Sequence, residues 1–136
     1  MCRMIIVDDR EDIRTFVARV ARREGYDVSH TGVPEEFVEL VAEHKPDIVS
    51  VDVIMPGKDG VEILGELASI GFAGRLLLIS GYHDEILDQT GKLARAYGLD
   101  LAGILTKPIA LAELRGVLAR TAAGPAGTAP VPGTSG

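Results

Sequence analysis

Cys2 is the only cysteine in the 136 residues, so no internal disulfide can form and a small secreted fold held by covalent staples is excluded. Basic residues are also outnumbered: 14 Lys and Arg face 20 Asp and Glu, a formal charge of −6, which argues against nonspecific binding to nucleic acid or an anionic membrane. No apolar run approaches the length that spans a bilayer, and the amino terminus has no basic segment followed by a long apolar stretch. Internal repeats are absent, and His30, His44 and His83 show no metal-ligand spacing. The length suits one domain with one substantial core. A soluble cytoplasmic protein that contacts neither nucleic acid nor membrane directly is the expectation.

What the chain does have is four short apolar runs, each ending on polar chemistry. Met4-Ile5-Ile6-Val7 leads into Asp8-Asp9, and Ile48-Val49-Ser50-Val51 into Asp52. Leu76-Leu77-Leu78-Ile79 leads into Ser80-Gly81, and Ile104-Leu105-Thr106 into Lys107-Pro108. Continuous runs of this length suit strands buried on both faces of a parallel sheet. In open α/β sheets, chemistry collects outside the carboxyl ends of the strands. Three carboxylates, a hydroxyl and an ammonium would then share one rim, a place to hold a divalent cation and a phosphoryl group.

Between the runs the apolar period becomes helical. Ile13, Phe16, Val17 and Val20 form one stripe, ending near Gly25. Phe37, Leu40 and Val41 form a second, with Pro34 just inside its start. Ile63, Leu64, Leu67 and Ile70 precede Gly71, and Ile86, Thr90, Leu93, Ala94 and Tyr97 precede Gly98, a left-handed cap. Leu111, Leu114, Val117 and Leu118 make the last helix. Tyr26-Asp27-Val28-Ser29 is a short second strand, suited to an edge. Alternating β and α elements predict parallel strands with right-handed crossovers. From Ala122 onward, Gly, Ala, Pro, Thr and Ser dominate, and residues 122–136 read as a flexible tail or linker stub after a folded unit over 1–121.

Together, Asp8-Asp9, Asp52-Val53-Ile54-Met55-Pro56-Gly57, Ser80-Gly81 and Lys107-Pro108, in order and at strand ends, resemble the receiver domain of two-component response regulators, over about residues 3 to 120. The resemblance implies a flavodoxin-like, doubly wound, five-stranded parallel sheet of order 2-1-3-4-5 with five helices. It implies that Asp52 is the phosphoacceptor, forming an acyl phosphate. It also implies Mg²⁺ (or Mn²⁺), with Asp9 and Asp52 ligating directly, Asp8 mainly through water, and the Ile54 carbonyl completing the protein's share. Lys107, the Ser80 hydroxyl and the Gly81 amide would meet phosphate oxygens. The implied partners are a sensor histidine kinase or histidine phosphotransfer protein on one side. On the other is a downstream protein or an attached output domain.

Two departures matter. Receivers usually carry Tyr or Phe three residues before the lysine, where this chain has Ile104, stiff at χ1 and unable to copy an aromatic swing. The response should therefore pass through the loop from Gly81 to Asp84 and the start of the fourth helix, with Lys92, Arg95 and Tyr97 as candidate contacts. Ile54 and Tyr82, apolar and bulky, occupy the positions flanking the attacking water's path, which predicts a long-lived acyl phosphate. The span from Ser80 to Lys107 is long, implying a fourth helix extended by about a turn, similar to receivers that precede cyclic-dinucleotide phosphodiesterase domains.

Competing readings fit less well. A flavodoxin-type cofactor site would want a hydroxyl- and glycine-rich loop where Asp8-Asp9-Arg10-Glu11-Asp12 stands. An aspartyl phosphatase would want an acid where Ile54 stands. A partner-binding module that works without phosphorylation would have no need of the complete acidic set.

Overall fold

Met4–Val7, Ile48–Val51 and Leu76–Ile79 are buried along their whole length, and they form the centre of the sheet. The computed structural model describes residues 2–55, 57–58, 60–81 and 85–124. In chain order the elements are β1 (Arg3–Val7), α1 (Glu11–Arg23), β2 (Asp27–Thr31), α2 (Pro34–His44), β3 (Ile48–Asp52), α3 (Gly60–Ser69), β4 (Arg75–Ser80), α4 (Glu85–Ala96), β5 (Asp100–Thr106) and α5 (Leu111–Ala122). All neighbouring strands are parallel, in the order β2-β1-β3-β4-β5. This is the flavodoxin-like architecture expected from the sequence.

Alternation along the strands feeds two cores. Ile5, Val7, Val49, Val51, Leu76 and Leu78 face one side with Phe37, Leu64 and Leu67 from α2 and α3. Met4, Ile6, Ile48, Leu77 and Ile79 face the other, with Val17 and Ala21 of α1 and Leu114 and Leu118 of α5. No helix among the described residues is long and apolar enough to cross a membrane.

Three features differ from the pattern read in the sequence. The buried face of α4 is Leu87, Thr90, Gly91 and Ala94, while Ile86 is 51% exposed and Tyr97 45%. A glycine carries no apolar weight in a periodic stripe, yet Gly91 is where the helix meets the sheet: a Cβ there would lie 3.0 Å from Ile104 Cδ1. The edge strand β2 runs on to Thr31, past Ser29. In β5, Leu76 pairs with Leu101 but Leu77 with Gly103, so Ala102 is an extra residue in a β-bulge. Part of the extra length between Ser80 and Lys107 is thus taken up in the sheet. α5 ends at Ala122, one residue beyond the expected limit, and residues 125–136 of the expected tail lie outside the described residues.

The start of α3 is pressed against the residue after Asp52. Gly60 N–H donates to the Val53 carbonyl at 2.7 Å, and a Cβ on Gly60 would stand 2.9 Å from Val53 Cα. Gly60→Ala is therefore expected to push the β3–α3 connection outward and to destabilise the protein by about 1–3 kcal/mol, the range for overpacking. Chemical denaturation measures this; an unchanged midpoint would show that the contact relaxes freely.

Candidate functional site

The rim at the carboxyl ends of the strands gathers the residues singled out by the sequence. Asp8 follows β1, Asp52 closes β3, Ser80 closes β4 and Lys107 follows β5. Asp8, Asp52 and Ser80 are 2%, 3% and 1% exposed, whereas Asp9 stands open to solvent. One carboxylate oxygen from each of Asp8, Asp9 and Asp52 lies within 4.8 Å of the others. Lys107 Nζ bridges the buried pair, 3.1 Å from Asp8 Oδ2 and 3.5 Å from Asp52 Oδ2. The Lys107-Pro108 peptide is cis, and the Lys107 N–H donates to the Ser80 carbonyl at 2.8 Å, joining the ends of β4 and β5.

Backbone donors trim the carboxylates. Asp8 Oδ1 accepts from the Arg10 amide at 2.9 Å, and Asp52 Oδ1 from the Ile54 amide at 3.4 Å. The Asp52 carboxyl is nevertheless pushed up to about 7, by burial first and then by the Asp8 charge, against the pull of Lys107. This donor set fits a hard divalent cation. Its oxygens are clustered, two of its acids are out of water, and their repulsion is only partly balanced by one ammonium. Gly81 is exposed, and a Cβ there would meet nothing within 4 Å, so the space beside Ser80 is open. Ile54 is exposed on the loop after Asp52.

A family model for the response regulator receiver domain matches residues 4–119. The chain belongs to the response regulator receiver family. Among curated relatives, it is 34% identical over 113 residues to the transcriptional regulatory protein PdtaR of Mycobacterium tuberculosis, covering 82% of this chain and 52% of that protein. It is also 34% identical over 125 residues to the response regulator MprA of Mycobacterium sp. strain KMS, covering 88% and 51%. The chain thus spans about half the length of these curated relatives. Among solved structures, a response regulator from Colwellia psychrerythraea superposes with a TM-score of 0.77 at 32% identity, covering 88% of this chain and 94% of that one. The Vibrio cholerae chemotaxis protein CheY4 gives 0.75 at 26%, covering 89% and 98%.

In this receiver, Ile104 is half-buried against α4, its Cδ1 beside Gly91. Tyr97, for all its exposure, lays its hydroxyl over α3, 3.5 Å from where a Gly65 Cβ would be. Tyr82 and the stretch 82–84 of the expected switch loop lie outside the described residues. Sequence reasoning passed over Arg14 of α1. Its Nη1 donates to the Asp8 carbonyl at 2.8 Å and its Nε to His30 Nδ1 at 3.2 Å. Nothing in a helical stripe marks an arginine whose partners are a main-chain oxygen and a residue on the edge strand.

Proposed function

We propose that this receiver accepts a phosphoryl group on Asp52, in a reaction that depends on Mg²⁺ or Mn²⁺. The donor is a phosphohistidine on a sensor histidine kinase or a histidine phosphotransfer protein. The observation carrying this reading is the buried Asp8–Asp52 pair bridged by Lys107, with Asp9 beside it in solvent. Asp9, Asp52 and the Ile54 carbonyl would hold the cation, with Asp8 acting through water. Bound there, the cation would offset the repulsion among the acids and draw charge from the phosphoryl oxygens.

The Asp52 carboxylate attacks phosphorus in line, the P–N bond breaks, and the departing imidazole keeps that electron pair and takes a proton. Lys107, released from the acids by the incoming charge, then pairs with a phosphoryl oxygen, while the Ser80 hydroxyl and the Gly81 amide donate to others. With Ile104 packed on Gly91, inward movement of the rim loops would be felt at α4, the surface offered to a downstream protein or attached output domain. The unit that does this spans residues 1–121, with 122–136 as its tail or linker, and it works in the cytoplasm.

Intact-mass measurement with Mg²⁺ and a small acyl-phosphate donor tests the reading. One added phosphoryl group is expected, and none with EDTA. Uptake that ignores EDTA, or no uptake from either an acyl phosphate or a phosphohistidine protein, would overturn it.

A further inference from the structure

Each polar group of Asp8 has a partner. Its amide N–H reaches the Thr31 carbonyl at 3.3 Å, and its own carbonyl accepts from Arg14 Nη1 at 2.8 Å. Oδ1 accepts from the Arg10 amide at 2.9 Å, and Oδ2 faces Lys107 at 3.1 Å. The Arg14 contact is the one that comes from a side chain outside the rim.

The guanidinium sits in a fitted slot. Its Nε donates to His30 Nδ1 at 3.2 Å, which requires that nitrogen to be unprotonated, with the ring hydrogen on Nε2. Burial, and then the neighbouring Arg14 charge, hold His30 below the usual histidine range, in keeping with a neutral ring. The wall opposite is Gly32, where a Cβ would come within 2.7 Å of Arg14 Nη1. α1 supplies the arginine, β2 the acceptor, and the turn after β2 the missing side chain.

We infer that Arg14 is a positioning residue for the cation and phosphoryl site, locking the peptide between Asp8 and Asp9 so that both carboxylates face the rim. The inference rests on the function proposed above. That peptide's plane sets the direction in which Asp9 leaves the chain. Repulsion among Asp8, Asp9 and Asp52 favours turning it away, and a charge-assisted bond on the Asp8 carbonyl opposes the turn. The lock matters most once Lys107 leaves Asp8 for a phosphoryl oxygen, because the Arg14 tie then remains. A planar guanidinium reaches the carbonyl and His30 together, whereas a lysine ammonium at the same position reaches one of them.

Arg14→Ala, Arg14→Lys and Gly32→Ala test this, read by Mg²⁺ titration calorimetry, thermal unfolding, and amide exchange of the cation-free protein. Gly32→Ala keeps the arginine but displaces the flexible end of its side chain. Arg14→Ala is expected to weaken Mg²⁺ binding about 10- to 100-fold, the range for an outer partner of a metal ligand. Gly32→Ala should move the same way, and Arg14→Lys should fall between. In the cation-free variants the Asp8 and Arg10 amides should exchange faster than in the wild type. Wild-type Mg²⁺ affinity in Arg14→Ala, with only a lowered melting temperature, would mean that the arginine is structural and would overturn the inference. So would wild-type affinity in Arg14→Lys, should Gly32→Ala fail to fold. If the wild-type protein itself binds no Mg²⁺, the proposed function fails. Amide exchange then judges the lock alone, and unchanged rates at Asp8 and Arg10 would refute it.

Discussion

Asp52→Asn is expected to abolish phosphoryl uptake while making the cation-free protein more stable near pH 8. The first effect follows from loss of the attacking carboxylate. The second follows from where Asp52 sits: burial and the Asp8 charge raise its carboxyl from 3.8 to about 7 in the folded state. A group that binds its proton more tightly when folded adds stability that is fully present below about pH 4 and is lost as pH rises through about 7. The amide carries no charge, so it escapes that loss. A gain on the order of 2 kcal/mol is expected near pH 8 without cation, shrinking near pH 5, where the wild-type acid holds its proton. Saturating Mg²⁺ should narrow the gap by stabilising the wild type. Denaturation curves at both pH values, with and without Mg²⁺, measure all of this. A variant no more stable near pH 8 than near pH 5 would contradict the account of the pair, and one that still gains a phosphoryl group would remove Asp52 as acceptor.

Lys107→Ala should have the opposite signs. The ammonium touches both buried acids at 3.1 and 3.5 Å, and its own side chain is largely covered. Removing it leaves two carboxylates facing each other, a loss of about 3 kcal/mol near pH 8 in the absence of cation. The same variant should bind Mg²⁺ more tightly, because Lys107 competes for the oxygens a cation would use. It should nonetheless lose most of the difference in amide exchange between free and phosphorylated forms around residues 80 to 107, since the charge that follows the phosphoryl group is gone. Weaker Mg²⁺ binding, or an intact exchange response, would show that Lys107 does not act as the mobile counter-charge.

Much of this was readable from residues alone, for physical reasons. Runs such as Met4–Val7 and Leu76–Ile79 are apolar at every position because helices cover both faces, and each points to the polar residue that ends it. That brought Asp8, Asp9, Asp52, Ser80 and Lys107 to one rim before any coordinate was known. The order of the strands came from the family resemblance, since periodicity is silent on which strand lies beside which. The α4 face was misread because Gly91 has no side chain to count, and its role depends on Ile104 in another element. The far end of β2 was missed because His30 and Thr31 break the apolar pattern of an edge strand. Arg14 was invisible for a related reason: its partners, the Asp8 carbonyl and His30, become neighbours only when β1, β2 and α1 assemble.

The bulge in β5 has a consequence for the outer margin of the sheet. β5 has one neighbour, β4, so its other side carries main-chain groups that could template a further strand. The extra residue at Ala102 breaks the regular spacing of those groups between Leu101 and Gly103 and increases the local twist. A chain sliding up to lengthen the sheet would find the ladder out of step halfway along. Whatever this receiver meets along that flank, it must recognise by side chains and not by backbone pairing, and the same irregularity guards the edge against aggregation.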